Sequence, residues 1–197
     1  VGYFLEAAPV QPALLAIALP GFWHEHHQRM QQLRHLAPHV ALAIDGHHDG
    51  EEGGRVTLRP SGAPVLDYTV SPKIWAAVRE AQRSMARIHL AGGARQSVTG
   101  HTHPIVIERE ADLARLDAAD YGPSKVGLYS AHVMGGAGMS DDPRRGVVRP
   151  EDLRHHQLDN LHVVDGSVFP TSLGVNPQES IYGLAHLVAG RLAEAWT

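Results

Sequence analysis

The sequence predicts an α+β domain, an antiparallel sheet with helices, over residues 1–124. A strand-and-helix segment of α/β character follows over 125–197. Three observations carry this. Short alternating apolar runs separated by turn residues lie between Val40 and Val70. A long amphipathic pattern follows Ser71-Pro72. Beyond Gly122 the text turns glycine-rich and ends in a second helical pattern.

The elements follow in order. Val1–Pro38 is apolar and broken by Pro9, Pro12 and Pro20, with Pro20-Gly21 a turn signal. His24–Leu36 spaces Met30, Leu33 and Leu36 as a short helix would. Val40, Leu42 and Ile44 alternate as a strand, and Asp45–Gly54 is a polar loop. Arg55–Leu58 and Val65–Val70 are strands around the turn Ser61-Gly62-Ala63-Pro64, which completes an expected antiparallel meander. Ser71 caps a helix that Pro72 opens, Ile74, Val78, Ala81, Met85 and Ile88 or His89 stripe, and Gly92-Gly93 ends. Ala94–Thr99 reads as a strand and Glu108–Leu116 as a short helix. Val126–His132 and Leu161–Asp165 read as further strands, the latter buried. Gln178–Trp196 reads as a helix with Ile181, Leu184, Leu187, Val188 and Leu192 inward.

Composition narrows the class. The net charge is −4 with no basic run, which argues against a nucleic-acid binder. Hydrophobic residues make up 43%, enough for a packed core. No apolar stretch reaches the ~18 residues of a membrane span. Cysteine is absent, so disulfides and thiolate chemistry are excluded and the compartment stays open, with the cytoplasm as the default. The first residues, Val1-Gly2-Tyr3-Phe4-Leu5-Glu6, read as a chain already under way, so a C-terminal fragment is expected. Histidine is unusually abundant, with 15 residues.

Two segments carry chemistry. In Ser130-Ala131-His132-Val133-Met134-Gly135-Gly136 a histidine precedes glycines that let a ligand approach the backbone. His132 is either a general base or a structural histidine. In the second, Leu161-His162-Val163-Val164-Asp165-Gly166 ends in an acid and a glycine, where α/β folds place ligands. Asn176-Pro177 then stands at a helix start, whose unpaired amides suit an electron-rich group. Singly, Asn176 is equally a helix cap and Asp165 a turn closer.

Taken together, His132-Val133-Met134-Gly135, Asp142-Pro143, Val147-Val148, Asn160 to Pro170 and Gly174 to Pro177 resemble the C-terminal signature of the glucose–methanol–choline (GMC) flavoenzyme family. The wording Phe169 to Pro177 is most similar to the bacterial long-chain alcohol and sterol oxidase branch. The resemblance implies a substrate-binding domain over 1–124 and, over 125–197, the C-terminal segment of an FAD-binding Rossmann-like domain. It implies FAD as cofactor and a small-molecule alcohol, hydrophobic in view of the apolar stretch Val10–Phe22, as substrate. It implies His132 as general base and Asn176 as the second catalytic residue. Asp165, Gly166, Asn176, Pro177 and Gln178 are implied to lie against the cofactor. No Gly-x-Gly-x-x-Gly unit occurs, so an N-terminal FAD-binding partner domain is expected. The family's usual Gln after the first histidine is Val133 here, and Glu6, Glu25 and Glu80 offer no diagnostic context for the carboxylate of sterol-type relatives.

A rival reading is a histidine-rich metal-binding or non-catalytic scaffold protein, resting on His24-Glu25-His26-His27 and His101-Thr102-His103. Ligands two apart do not share a helix face, and no third ligand is forced; no metal site is expected. A hydrolase is disfavoured because Gly-x-Ser-x-Gly is absent.

Overall fold

A computed structural model describes residues 2–46 and 53–195. Most of the loop expected at Asp45–Gly54, and the last residue expected of the terminal helix, Trp196, lie outside the described residues. The chain divides into two compact units, one of residues 1–43 and 54–129, the other of 44–53 and 130–197.

In the first unit β1 (Tyr3–Ala7) pairs antiparallel with β2 (His39–Ala43), Tyr3 opposite Ala43. Between them run α1 (Pro12–Ala18), α2 (His24–Gln31) and a 3₁₀ turn at Leu33–His35. β3 (Arg55–Leu58) and β4 (Pro64–Asp67) form a hairpin. The expected meander does not form: β2 takes β1 as its partner, and β3 and β4 pair only with each other. The alternation of residues 40–44 specified a strand but not its neighbour. β3 has the bounds expected, whereas β4 ends at Asp67, short of the expected Val70.

α3 (Pro72–Ala91) is the scaffold of this unit. The Ser71 hydroxyl accepts the Ile74 amide at 3.3 Å, Pro72 needs no amide partner, and Gly93 at φ +85° lets the chain leave. Ile74, Ala77, Ala81 and Ala86 are buried. At the end of the stripe His89 turns inward, and Ile88 stays exposed. β5 (Ser97–Val98) and β6 (Val106–Ile107) make a third two-stranded sheet. A 3₁₀ turn at Glu110–Leu113 runs into α4 (Ala114–Asp117). Ala86, Ile107, Leu113 and Leu116 form the core.

A half-buried polar chain crosses this unit. Nδ1 of His39 lies 2.8 Å from Nε2 of His89 and 3.3 Å from the Ala37 carbonyl. Nδ1 of His89 lies 2.8 Å from the Ser97 hydroxyl. One tautomer set satisfies all three contacts: both Nδ1 atoms carry protons, and Nε2 of His89 accepts. Nearby, the Thr99 hydroxyl accepts the Ile105 amide and lies 2.8 Å from Nδ1 of buried His101. A proton added to His89 Nε2 destroys the bond it accepts from His39. Burial, and for His89 the facing His39, hold both imidazoles below the ordinary histidine value.

The sign for stability follows. The unfolded chain protonates these groups near pH ~6.5 while the fold resists. Their contribution is therefore complete above that pH and shrinks as pH falls toward the folded values. Carboxylates such as Asp112 and Asp152, held low by their partners, act at more acid pH. Thermal melts from about pH 7.5 to about pH 5.5 are expected to fall, and His101→Gln to flatten the slope. A pH-independent midpoint in that window would contradict the neutral chain.

The second unit holds α5 (Gln178–Ala195) against irregular backbone. Val148, Leu153, Val168 and Val188 form its core, with Met139, Val163, Val164, Leu184 and Leu192 packed around it. Strands expected at Val126–His132 and Leu161–Asp165 are absent as ladders. Val126 makes only a bridge to His101, and His162 only one to Arg154. The first run crosses from one unit to the other, so no single edge is available to pair it. The second lies beside a looping segment, with the Val163 amide on the Leu153 carbonyl at 3.0 Å, and its valines are only partly buried. Leu187 of α5, expected inward, is 49% exposed, so the covered stripe is narrower than the sequence predicts.

Candidate functional site

His132 stands in a stretch without regular structure, so hydrogen bonds to a neighbouring turn position it. The Ala137 and Met139 amides donate to the Ser167 and Val168 carbonyls at 3.0 Å each, and Gly135 to Gly166 at 3.4 Å. Gly135 and Gly136 adopt φ +80° and +102°, conformations that suit glycine. The paired turn is a 3₁₀ turn at Gly166–Val168. Asp165 caps it, accepting the Ser167 amide at 2.8 Å and its hydroxyl at 2.5 Å. Those two bonds hold the Asp165 carboxyl below the usual range. Gly166 is packed tightly: a Cβ there would sit 3.1 Å from the Val133 carbonyl and 3.4 Å from Ile181 Cδ1. The residue after His132 therefore rests directly on this glycine.

From the other side comes the entry to α5. Pro177 is buried, and its carbonyl accepts the Ile181 amide at 2.9 Å, starting the helix. The first-turn amides of an α-helix have no partner within it and carry partial positive charge. Against this end opens a cavity of about 320 Å³ lined by Ala131, His132, Asn176, Pro177, Gln178, Ile181 and Tyr182.

The structure thus brings His132, Asn176, Pro177 and Gln178 to one cavity. Asp165 and Gly166 are not in its lining. They support it instead, through the turn that carries the His132 loop and through Ile181. Tyr182 and Ile181 were not singled out in the sequence. Gln178 Nε2 donates to the Tyr182 hydroxyl at 2.7 Å, and the four-residue spacing that allows this was the available signal. The lining holds an imidazole, two amides, a phenol and a helix start, and no carboxylate. Such a set can orient a ligand oxygen, accept its proton and face negative charge with backbone dipoles.

The histidine clusters are elsewhere. His101 is buried with Nδ1 held by Thr99, while His24 and His27 are exposed. Among the described residues no group of three or more His, Cys, Asp or Glu is placed to hold a metal ion.

Comparison with known proteins defines the class. A family profile described as GMC oxidoreductase matches residues 50–185. The chain belongs to the GMC oxidoreductase family. It is 46% identical over 57 residues to a cholesterol oxidase of Acinetobacter baumannii, covering 29% of this chain and 10% of that protein. It is 39% identical over 61 residues to a long-chain-alcohol oxidase of Arabidopsis thaliana, covering 31% and 8%. An uncharacterized GMC-type oxidoreductase of Mycobacterium tuberculosis aligns over 190 residues at 25% identity, covering 95% of this chain and 29% of that protein. The matched stretches amount to between 8% and 34% of the relatives' own lengths.

Proposed function

We propose that this chain is part of an FAD-dependent alcohol oxidoreductase, with a substrate-binding region over 1–124 and the C-terminal segment of a Rossmann-like FAD domain over 125–197. The observation that carries this reading is one cavity shared by His132, Asn176 and the first turn of α5. The donor set fits a flavin: a helix start for the electron-rich edge of the ring, and a tightly packed glycine beside an acid next to it. When bound, FAD would supply the acceptor for the hydride of the alcohol carbon.

The chain's own residues do the rest. His132 accepts the hydroxyl proton as general base. The Asn176 amide donates to the same oxygen and fixes its orientation. The amides behind Pro177 and Gln178 stabilise negative charge on the cofactor. Asp165 and Gly166 would hold the ribityl and pyrophosphate side of the cofactor. Holding the ADP half is assigned to polypeptide outside this sequence, so the experiment uses the full-length product of the gene. The substrate is a hydrophobic primary or secondary alcohol. The relatives named as oxidases of cholesterol and of long-chain alcohols support that class.

The test is anaerobic mixing of the purified full-length protein with long-chain primary alcohols and with a sterol. Loss of the oxidised flavin absorbance is expected with at least one of them. A protein that carries no flavin, or a bound flavin that neither class reduces, overturns the proposal.

A further inference from the structure

We propose that the Tyr182 hydroxyl is a second hydrogen-bond donor to the oxygen of the alcohol, beside Asn176. The inference deepens the reading of the cavity given above and rests on it. Tyr182 lines the same cavity of about 320 Å³ as His132 and Asn176. Its oxygen accepts Nε2 of Gln178 at 2.7 Å and has no other hydrogen-bond partner among the described residues. A phenol has one proton to donate and two lone pairs. The bond from Gln178 occupies a lone pair, so the proton is unspent and available to a ligand in the cavity.

The geometry of α5 places the phenol there. Residues four apart lie on one face of a helix, about 6 Å apart along its axis. Side chains on a helix lean toward its N-terminus, so that of Tyr182 covers the turn that Gln178 begins. Ile181 fixes the rotation of the helix, with its Cδ1 against Gly166, 3.4 Å from where a Cβ would stand. Residue 182 then has its place about 100° further around the axis. The ring is 63% exposed, so packing does not hold it; the bond from Gln178 does, at the phenol oxygen itself.

The alcohol oxygen has a place for this donor. A hydroxyl offers one proton and two lone pairs. His132 takes the proton and the Asn176 amide fills one lone pair, which leaves the other open. As the proton leaves for His132, negative charge gathers on that oxygen, and a second donor to it gains strength. Tyr182 keeps its own proton throughout. The electron-rich edge of the cofactor already has the first-turn amides of α5, so the alcohol oxygen is the group left short of a donor.

Full-length protein carrying flavin is mixed anaerobically with 1-dodecanol or cholesterol, whichever the wild type oxidises. Tyr182→Phe keeps the ring and removes only the hydroxyl. Its limiting rate of flavin reduction is expected to fall about tenfold and its apparent alcohol Kd to rise about threefold. Melting temperature, flavin content and flavin reduction potential should stay at the wild-type values. Gln178→Leu unties the phenol and should cost about threefold alone, yet nothing further in the Tyr182→Phe background. Two independent structural defects would instead add. Wild-type kinetics in Tyr182→Phe overturn the inference and leave the alcohol oxidoreductase reading standing. Additive losses in the double variant overturn it as well. So does a fall in reduction potential that accounts for the lost rate, since the donor then serves the cofactor. A wild-type protein that neither alcohol reduces removes the reading of the site and this inference together.

Discussion

Replacing His132 with alanine in the full-length protein is expected to slow alcohol-dependent flavin reduction by about 10²-fold or more, the usual scale for a lost general base. The side chain is exposed, so its truncation removes little packing and the melting temperature should hold. The glycines after it and the bonds from 135–139 to 166–168 are backbone features, which alanine at 132 leaves in place. The loss should therefore fall on the proton-transfer step rather than on flavin content. Stopped-flow reduction under anaerobic conditions measures it, and added imidazole should restore part of the rate. Reduction at the wild-type rate would remove His132 from the mechanism and leave the cavity as a binding feature only.

Leu153→Ala should destabilise the second unit by about 2–5 kcal/mol, the range for emptying a fully buried leucine position. Leu153 is 0% exposed among Val148, Val168 and Val188. It also adopts φ +57°, a conformation that costs a non-glycine residue about 1 kcal/mol or more. The cost is met by its surroundings. Its amide donates to Arg149 at 2.9 Å, its carbonyl accepts Val163 at 3.0 Å, and the Arg149–Asp152 ion pair braces the bend. Glycine would relieve the backbone but empty the core further, so alanine is the cleaner probe. The effect should reach the cavity, because Val168 accepts the Met139 amide and closes the turn under the His132 loop. Denaturant unfolding followed alongside flavin retention tests both parts. A loss under about 1 kcal/mol would show that this core relaxes around the missing atoms.

Local signals proved sufficient where they act over a few residues. The Ser71-Pro72 start and the Gly93 exit specify α3, while its buried face runs through Ala77 and Ala86 rather than the expected Val78 and Met85, which are half-buried. The turn at residues 61–64 likewise specifies the β3–β4 hairpin. His132 and Asn176-Pro177 were legible through a pattern of residue types, because a base, an amide and a helix start have recognisable neighbours.

What needs a distant partner was not legible. The apolar alternation near Val40 promised a strand, but only the fold chose β1 over β3 as its neighbour. Val126–His132 and Leu161–Asp165 have strand composition and no ladder, since an extended segment becomes a strand only when an unpaired edge lies beside it. His89 displaced Ile88 from the inner face because Ser97 and His39 offered it hydrogen bonds from elements 8 and 50 residues away. Sequence alone thus determined which groups are available for chemistry and where α3 and α5 begin. Tertiary structure alone decided that His132 lines one cavity with Asn176 and the start of α5, more than 40 residues further along the chain. Proximity of that kind is set by packing across the whole unit, which no local window of residues encodes.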